Sequence, residues 1–420
     1  MTTLWRSTAT LVSGATLARG LALVSLPVLS RLYAPSEFGI LALYSSTVLV
    51  LAPFATLRYH VAIPLPRHDK SASAILFVCG AIAFGFTALL ACVMLLGGGL
   101  IFGALSLEPL APYAMLVPAG VLAASLFETM TMWATRRRAF KTIASTQVLQ
   151  SFVGEGLKIA LGFAEFGRVG LVVGYLSGHG SGVASYTWQS AKQIRYAFRG
   201  MSLKLVKLVA IRFRGFPLVR APGQVLLALA TQAPLFLVAA NYDVSIAGQM
   251  AVAMLAFMTP FSLIGQAGGR AYFAEISRIG IRRPDLIKRE LDRASWMLGL
   301  ISTPIAAILF FFAEPAAALL LGQEWAQAGR FVSVLALALV PQFVSSTVLR
   351  TLDVMEAHLL IIALHASRLL VVTVAFSVAV AIGASPEQAI LTFSLVLAAY
   401  HLVQNATIRL ALNSARKVGL

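Results

Sequence analysis

The sequence predicts an all-α polytopic membrane protein: about twelve transmembrane helices in two six-helix lobes, related as parallel repeats around a central cavity. Three observations carry that prediction. Of 420 residues, 59% are hydrophobic and only 12% charged, whereas a soluble domain carries about 25% charged residues. Twelve apolar runs are long enough to span a bilayer core, which takes about 20 residues. Lys and Arg crowd into every second connection between those runs, as orientation in a membrane requires.

The runs lie at 9–31, 38–58, 73–97, 112–134, 143–163, 169–190, 216–240, 244–269, 294–321, 327–349, 357–383 and 388–412. Pro27, Pro118, Pro260, Pro304 and Pro341 fall inside them. Neighbouring helices satisfy the backbone groups that such prolines free. The first run holds Arg19 near its middle and is too long for a cleavable signal.

Of the 33 Lys and Arg residues, 26 lie in one alternating set of tails and connections. That set includes Arg136–Arg137–Arg138–Lys141 and six residues between 278 and 293. The other set holds only Arg31 and Arg168. The asymmetry places both termini in the cytoplasm. It also accounts for the net charge of +17 without nucleic acid, for which no recognition signature is present. Cys79 and Cys92 lie on one run, about 20 Å apart if helical, too far to bond with each other.

Three parts follow: an N-terminal lobe at 1–190, a basic linker at 191–215 and a C-terminal lobe at 216–420. The linker mixes Lys and Arg with Ile, Phe, Leu and Val, a composition suited to an interfacial helix on the anionic inner leaflet. A plain basic linker is the alternative. A repeat crosses it. "YAPSEFG" (33–39) and "YDVSIAG" (242–248) match at Tyr33/Tyr242, Ser36/Ser245 and Gly39/Gly248, and "LAPFATL" (51–57) echoes "MTPFSLI" (258–264). Each half starts from the same side with six runs, so the repeats are parallel, an arrangement that suits alternating access.

"LPVLSRLYAPSEFGILALYSS" (26–46) followed by "ATLRYHVAIPLP" (55–66) resembles the Wzx-type lipid-linked oligosaccharide flippases. So do "FPLVRAP" (216–222), "TQAPLFLVAANY" (231–242) and "PFSLIGQAG" (260–268). These flippases belong to the multidrug/oligosaccharidyl-lipid/polysaccharide exporter superfamily. The resemblance implies a bacterial inner-membrane transporter that moves undecaprenyl-pyrophosphate-linked repeat units to the periplasmic leaflet for O-antigen or exopolysaccharide synthesis. It implies a polysaccharide polymerase and a chain-length regulator as partners, and no cofactor. Against the family pattern, Arg19 replaces a neutral polar residue, His60 stands at an often acidic position, and Leu255 where an arginine is common.

Seven ionisable residues fall inside the runs: Arg19, Glu128, Glu155, Lys158, Arg220, Arg330 and Arg368. A charge at a helix centre costs about 2.5–3.5 kcal/mol on insertion scales and is a functional-site candidate. A guanidinium fork matches phosphate oxygens. Arg19, Arg220, Arg368 and Lys158 are therefore candidate cavity residues for an anionic headgroup. For Arg19 the alternative is pairing with Glu128 or Glu155. For Arg220 and Arg330 it is snorkelling. Glu155 and Lys158, three apart, can neutralise each other. Glu128 and Glu155 are the candidates for ion coupling, and Glu128 can instead pair with an arginine. His358 and His365 have no metal-ligand spacing. "GHGSG" (178–182) lacks a nucleophile-elbow register, and small residues there fit close helix packing. The rivals are a cation-coupled multidrug exporter, which the basic interior disfavours, and a membrane polymerase or glycosyltransferase. Short outside connections disfavour the latter. A scaffold without transport stays open.

Overall fold

A computed structural model of the chain describes residues 2–199, 201–260, 266–280 and 283–418, and every regular element among them is helical. The first compact unit, Met1–Ala228, contains α1 (Thr2–Leu32), α2 (Pro35–Thr56), α3 (Asp69–Ala104), α4 (Leu116–Arg136), α5 (Phe140–Phe163), α6 (Gly167–Phe198) and α7 (Leu203–Arg212). The division falls inside α8 (Ala221–Asn241). The second unit, Leu229–Leu420, continues with α9 (Val244–Pro260), α10 (Gln266–Ile279), α11 (Pro284–Leu321), α12 (Ala326–Val348), α13 (Arg350–Val354), α14 (His358–Ala381) and α15 (Pro386–Val418).

A long helix stands at each of the twelve apolar runs. Nine are long and apolar enough to cross a membrane among the described residues. The other three are α5, α6 and α9. Gln147, Gln150, Glu155 and Lys158 make α5 more polar, and His179, Ser181, Ser185 and Gln189 do the same for α6, while α9 is a shorter apolar helix among the described residues (Val244–Phe257). The run expected at 244–269 holds α9 and the start of α10, with residues 261–265, between them, outside the described residues. Most of the echo at 258–264 therefore lies outside them too.

Local chemistry sets the boundaries. At the start of α2, Pro35 occupies the first turn, where its missing N–H costs nothing. The Glu37 carboxylate accepts from the Ala34 N–H at 2.9 Å, half of a capping box. Beyond α2, Leu57 (φ 45°) and Arg58 (φ 60°) are both left-handed, an arrangement that costs non-glycine residues about 1–2 kcal/mol each. A 3₁₀ turn, Tyr59–Ala62, follows.

The two units share four packed helix pairs, although the α1–α5 packing of the first has no counterpart between α8 and α14 among the described residues. In the first, α3 packs on α4, α2 on α4, α4 on α6 and α5 on α6. In the second, α11 packs on α12, α9 on α12, α12 on α15 and α14 on α15. These are the same four pairs, helix for helix, as expected of parallel six-helix repeats. The repeated tyrosines act alike. The Tyr33 hydroxyl donates to the Lys158 carbonyl at 2.7 Å, and the Tyr242 hydroxyl to the Ala384 carbonyl at 2.8 Å. Each ties the turn after its lobe's first helix to the fifth helix or the turn ending it.

Close approach in the first unit uses glycine. A side chain at Gly178 would meet the Gln150 carbonyl at 3.0 Å and the Gly154 Cα at 3.2 Å. The "GHGSG" stretch is thus a packing surface of α6 against α5. The linker is not one element: residues up to Phe198 continue α6, and Ser202 caps the separate α7 by accepting from the Lys204 N–H at 3.2 Å. One face of α7, around buried Val209, packs on the core of Tyr59, Ile63 and Ile75. The Tyr59 hydroxyl donates to the Ala210 carbonyl at 3.0 Å.

Candidate functional site

The strained turn after α2 aims two side chains at α4. His60, almost wholly buried, brings Nε2 to 3.3 Å from the Glu128 carboxylate, while its Nδ1 lies 2.8 Å from the Thr56 hydroxyl. Burial, reinforced by the Arg58 charge, pushes the His60 pKa down to about 3. The imidazole is therefore neutral near pH 7. Thr56 can then donate to Nδ1, leaving the Nε2–H facing Glu128. The contact is therefore not an ion pair, despite its short distance.

Two guanidinium groups complete this group. Burial pushes the Arg58 pKa down, Glu128 pulls it up, and neighbouring Arg220 pushes it down. Arg220 ends the π-type turn Phe216–Arg220 and lies over the Phe216 ring at 5.1 Å. The Glu128 side chain keeps about half its exposure. Two guanidinium ions, one neutral imidazole and one carboxylate therefore share an accessible polar face with an excess of positive charge. Such a face suits phosphate oxygens or a transferable proton. Sequence reasoning singled out Glu128 and Arg220 here but missed Arg58 and His60. Both lie in the "ATLRYHVAIPLP" stretch, which was readable as a signature but not as a contact with α4.

Arg19 lies half-buried on α1 with no ion pair among the described residues. The carboxylates considered as its partners are otherwise engaged. Glu155 accepts from the Lys158 ammonium at 2.8 Å and from the Ser25 hydroxyl at 3.1 Å, and Glu128 faces His60. Lys158 is buried, and its backbone N lies 3.1 Å from where a Gly174 side chain would begin. Glu155 and Lys158 are thus a neutralised pair locking α5 to α1 and α6.

In the second unit, Arg330 is held by Glu314 at 2.7 Å and Glu387 at 3.3 Å, linking α12 to α11 and α15. Arg368 lies half-buried on α14 near Tyr400 of α15 and faces no carboxylate among the described residues. His358 is exposed and His365 buried. No group of three or more His, Cys, Asp or Glu is placed to hold a metal among the described residues, and Cys79 and Cys92 are free thiols.

The fold defines a class: multi-pass membrane proteins built like solved transporters of the MOP superfamily. The chain is similar to the lipid II flippase MurJ in an inward closed conformation, with TM-score 0.71 at 14% identity over 95% of this chain and 87% of that one. It is also similar to a MOP superfamily transporter from Pyrococcus furiosus with a binding pocket of reversed polarity (TM-score 0.67, 15% identity, 98% and 96% covered). An inward-facing multidrug resistance MATE transporter gives TM-score 0.62 at 16% identity, 97% and 96% covered. No curated protein matches the sequence. Residues 28–330 match the polysaccharide biosynthesis protein family, and the chain belongs to that family. Family and fold agree with the resemblance to Wzx-type flippases of this superfamily.

Proposed function

We propose that this protein flips a polyprenyl-pyrophosphate-linked oligosaccharide from the cytoplasmic to the periplasmic leaflet of a bacterial inner membrane by alternating access. The observation that carries the reading is Arg19: a guanidinium within a membrane span that no carboxylate neutralises. A charge in that setting costs several kcal/mol unless it has a use, and a pyrophosphate crossing the bilayer needs replacement for its lost hydration. Arg58 and Arg220 supply a second cationic point beside Glu128, the group of that face open to a coupling proton, since His60 stays neutral.

The basic connections face the cytoplasm, and the glycan belongs to a surface polymer such as O-antigen or exopolysaccharide. A polymerase and a chain-length regulator would receive the flipped unit. The exposed face of α7 carries Leu203, Leu208 and Ile211 beside Lys204, Lys207, Arg212 and Arg214, a mixture suited to the anionic inner leaflet. Export of cationic drugs is the weaker reading, because Arg19 would repel them.

The test is reconstitution in proteoliposomes with a short-chain polyprenyl-pyrophosphate glycan and a membrane-impermeant glycosidase. Wild type should let the glycosidase digest most of the inward-facing glycan over time, while in protein-free vesicles that glycan should stay protected. Equal accessibility in both would overturn the proposal.

A further inference from the structure

Leu57 and Arg58 are both left-handed, and such a conformation persists only where its surroundings over-determine it. The stretch from there to α3 does little to hold itself. After the Leu65 N–H donates to the Ala62 carbonyl at 3.0 Å, the next turn bond is that of Ala72 to His68 at 3.3 Å. Pro64 and Pro66 have no N–H to offer. The missing donors come from α4. Arg136 Nη1 donates to the Pro66 carbonyl and lies 3.5 Å from the Pro64 carbonyl. Its Nη2 donates to the carboxylate of Asp69, the first residue of α3, at 2.9 Å. Arg137 holds the other Asp69 oxygen at 3.1 Å.

Burial sets Arg136 apart from the basic cluster it belongs to. Its side chain is only 10% exposed, whereas Arg137, Arg138 and Lys141 are exposed. A cation that served orientation in the membrane alone would gain nothing from burial. A planar guanidinium, by contrast, can hold several acceptors in one rigid fork. Helix α4 therefore grips the stretch at two points: Glu128 faces His60, and Arg136, about eight residues or ~12 Å further along the helix, clamps residues 64–66. We propose that Arg136 is a positioning residue: it keeps the strained turn folded against α4, so that Arg58 and His60 stay beside Glu128. Its consequence for transport rests on the flipping reading above; the clamp itself does not.

The test is amide hydrogen exchange of the full-length protein in detergent, read peptide by peptide. Arg136→Gln should speed exchange across residues 57–68 roughly tenfold or more, the scale of one lost hydrogen bond to a charged group, and leave α5 and α6 unchanged. Arg136→Lys, which keeps the charge but not the fork, should fall between. In the proteoliposome assay Arg136→Gln should raise the half-saturating glycan concentration while the maximal rate per folded protein stays near wild type. Added to Arg58→Gln, it should cause no further rise, because both act through one group. Unchanged exchange in residues 57–68 would overturn the proposal. So would faster exchange spread evenly over the first unit, or additive effects of Arg136→Gln and Arg58→Gln, since either makes Arg136 a general stabiliser. If wild type flips no glycan, the functional reading falls and the exchange result alone decides the clamp.

Discussion

His60 faces Glu128 across 3.3 Å from a strained turn, and it does so as a neutral ring. This pairing joins the end of α2 to α4 at the one acidic residue of a basic face, so its protonation state bears on stability as well as on any coupling.

A pH prediction follows from the sign of that shift. In the unfolded chain a histidine titrates near 6.5; in the native protein His60 stays neutral down to about 3. Between those values the unfolded state binds more protons, so native stability falls as pH drops from 6.5 toward 3. The thermal midpoint of wild type should decline through this window, and His60→Gln, which keeps a donor but does not titrate there, should decline less. Parallel curves would refute the neutral-ring assignment.

The paired tyrosines give a second prediction. Tyr33 is almost fully buried and Tyr242 half-buried. Tyr33→Phe removes a buried hydrogen bond to a carbonyl that α5 also holds and should cost about 0.5–1.5 kcal/mol. Tyr242→Phe should cost less, because water can reach that carbonyl's side of the turn. Thermal unfolding of the two variants side by side checks the order; a larger loss in Tyr242→Phe would contradict it.

What the sequence made legible was whatever depended on local pattern. Twelve runs, the alternation of charge and the Tyr33/Tyr242 repeat all follow from hydropathy and spacing, and the structure has a long helix at each run. Glu155 with Lys158 was legible because three residues on a helix place two side chains together. His60 with Glu128 was not, since 68 residues separate them and only the left-handed pair Leu57–Arg58 turns His60 toward α4. The separate α7 was half legible. Its composition pointed to an amphipathic helix, but its contact with Tyr59 and Val209's burial against α3 depend on tertiary packing.

A third prediction separates packing from chemistry in "GHGSG". Gly178→Ala forces a methyl toward the Gln150 carbonyl and Gly154, whereas a side chain at Gly180 meets nothing within 4 Å. Gly178→Ala should therefore lower folded protein, by about 1–3 kcal/mol for overpacking. Gly180→Ala should be neutral or gain up to about 1 kcal/mol from helix propensity. Ser181→Ala should retain full transport, since its hydroxyl donates only to the Gly178 carbonyl at 2.8 Å. Detergent-solubilised yield and glycan flipping read both effects, and loss of transport in Ser181→Ala at normal yield would reopen a chemical role.

The last prediction sets Arg19 against Lys158. Lys158→Ala strands the Glu155 carboxylate in a mostly buried site, which costs up to about 3–5 kcal/mol. Protein abundance should fall, and Lys158→Ala with Glu155→Gln should recover much of it. Arg19 holds no carboxylate, so Arg19→Ala strands nothing and abundance should stay normal. Transport should instead fall in rank: Arg19→Lys keeps the charge but loses the two-pronged donor and should be partly active, Arg19→Ala less so, and Arg19→Glu, which repels a pyrophosphate, least. Immunoblotting of membranes and surface glycan in a deletion strain measure the two quantities separately. If Arg19→Ala behaves like Lys158→Ala, with abundance and glycan falling together, Arg19 is a structural residue. Full glycan output from Arg19→Glu at normal abundance removes it from the headgroup's route.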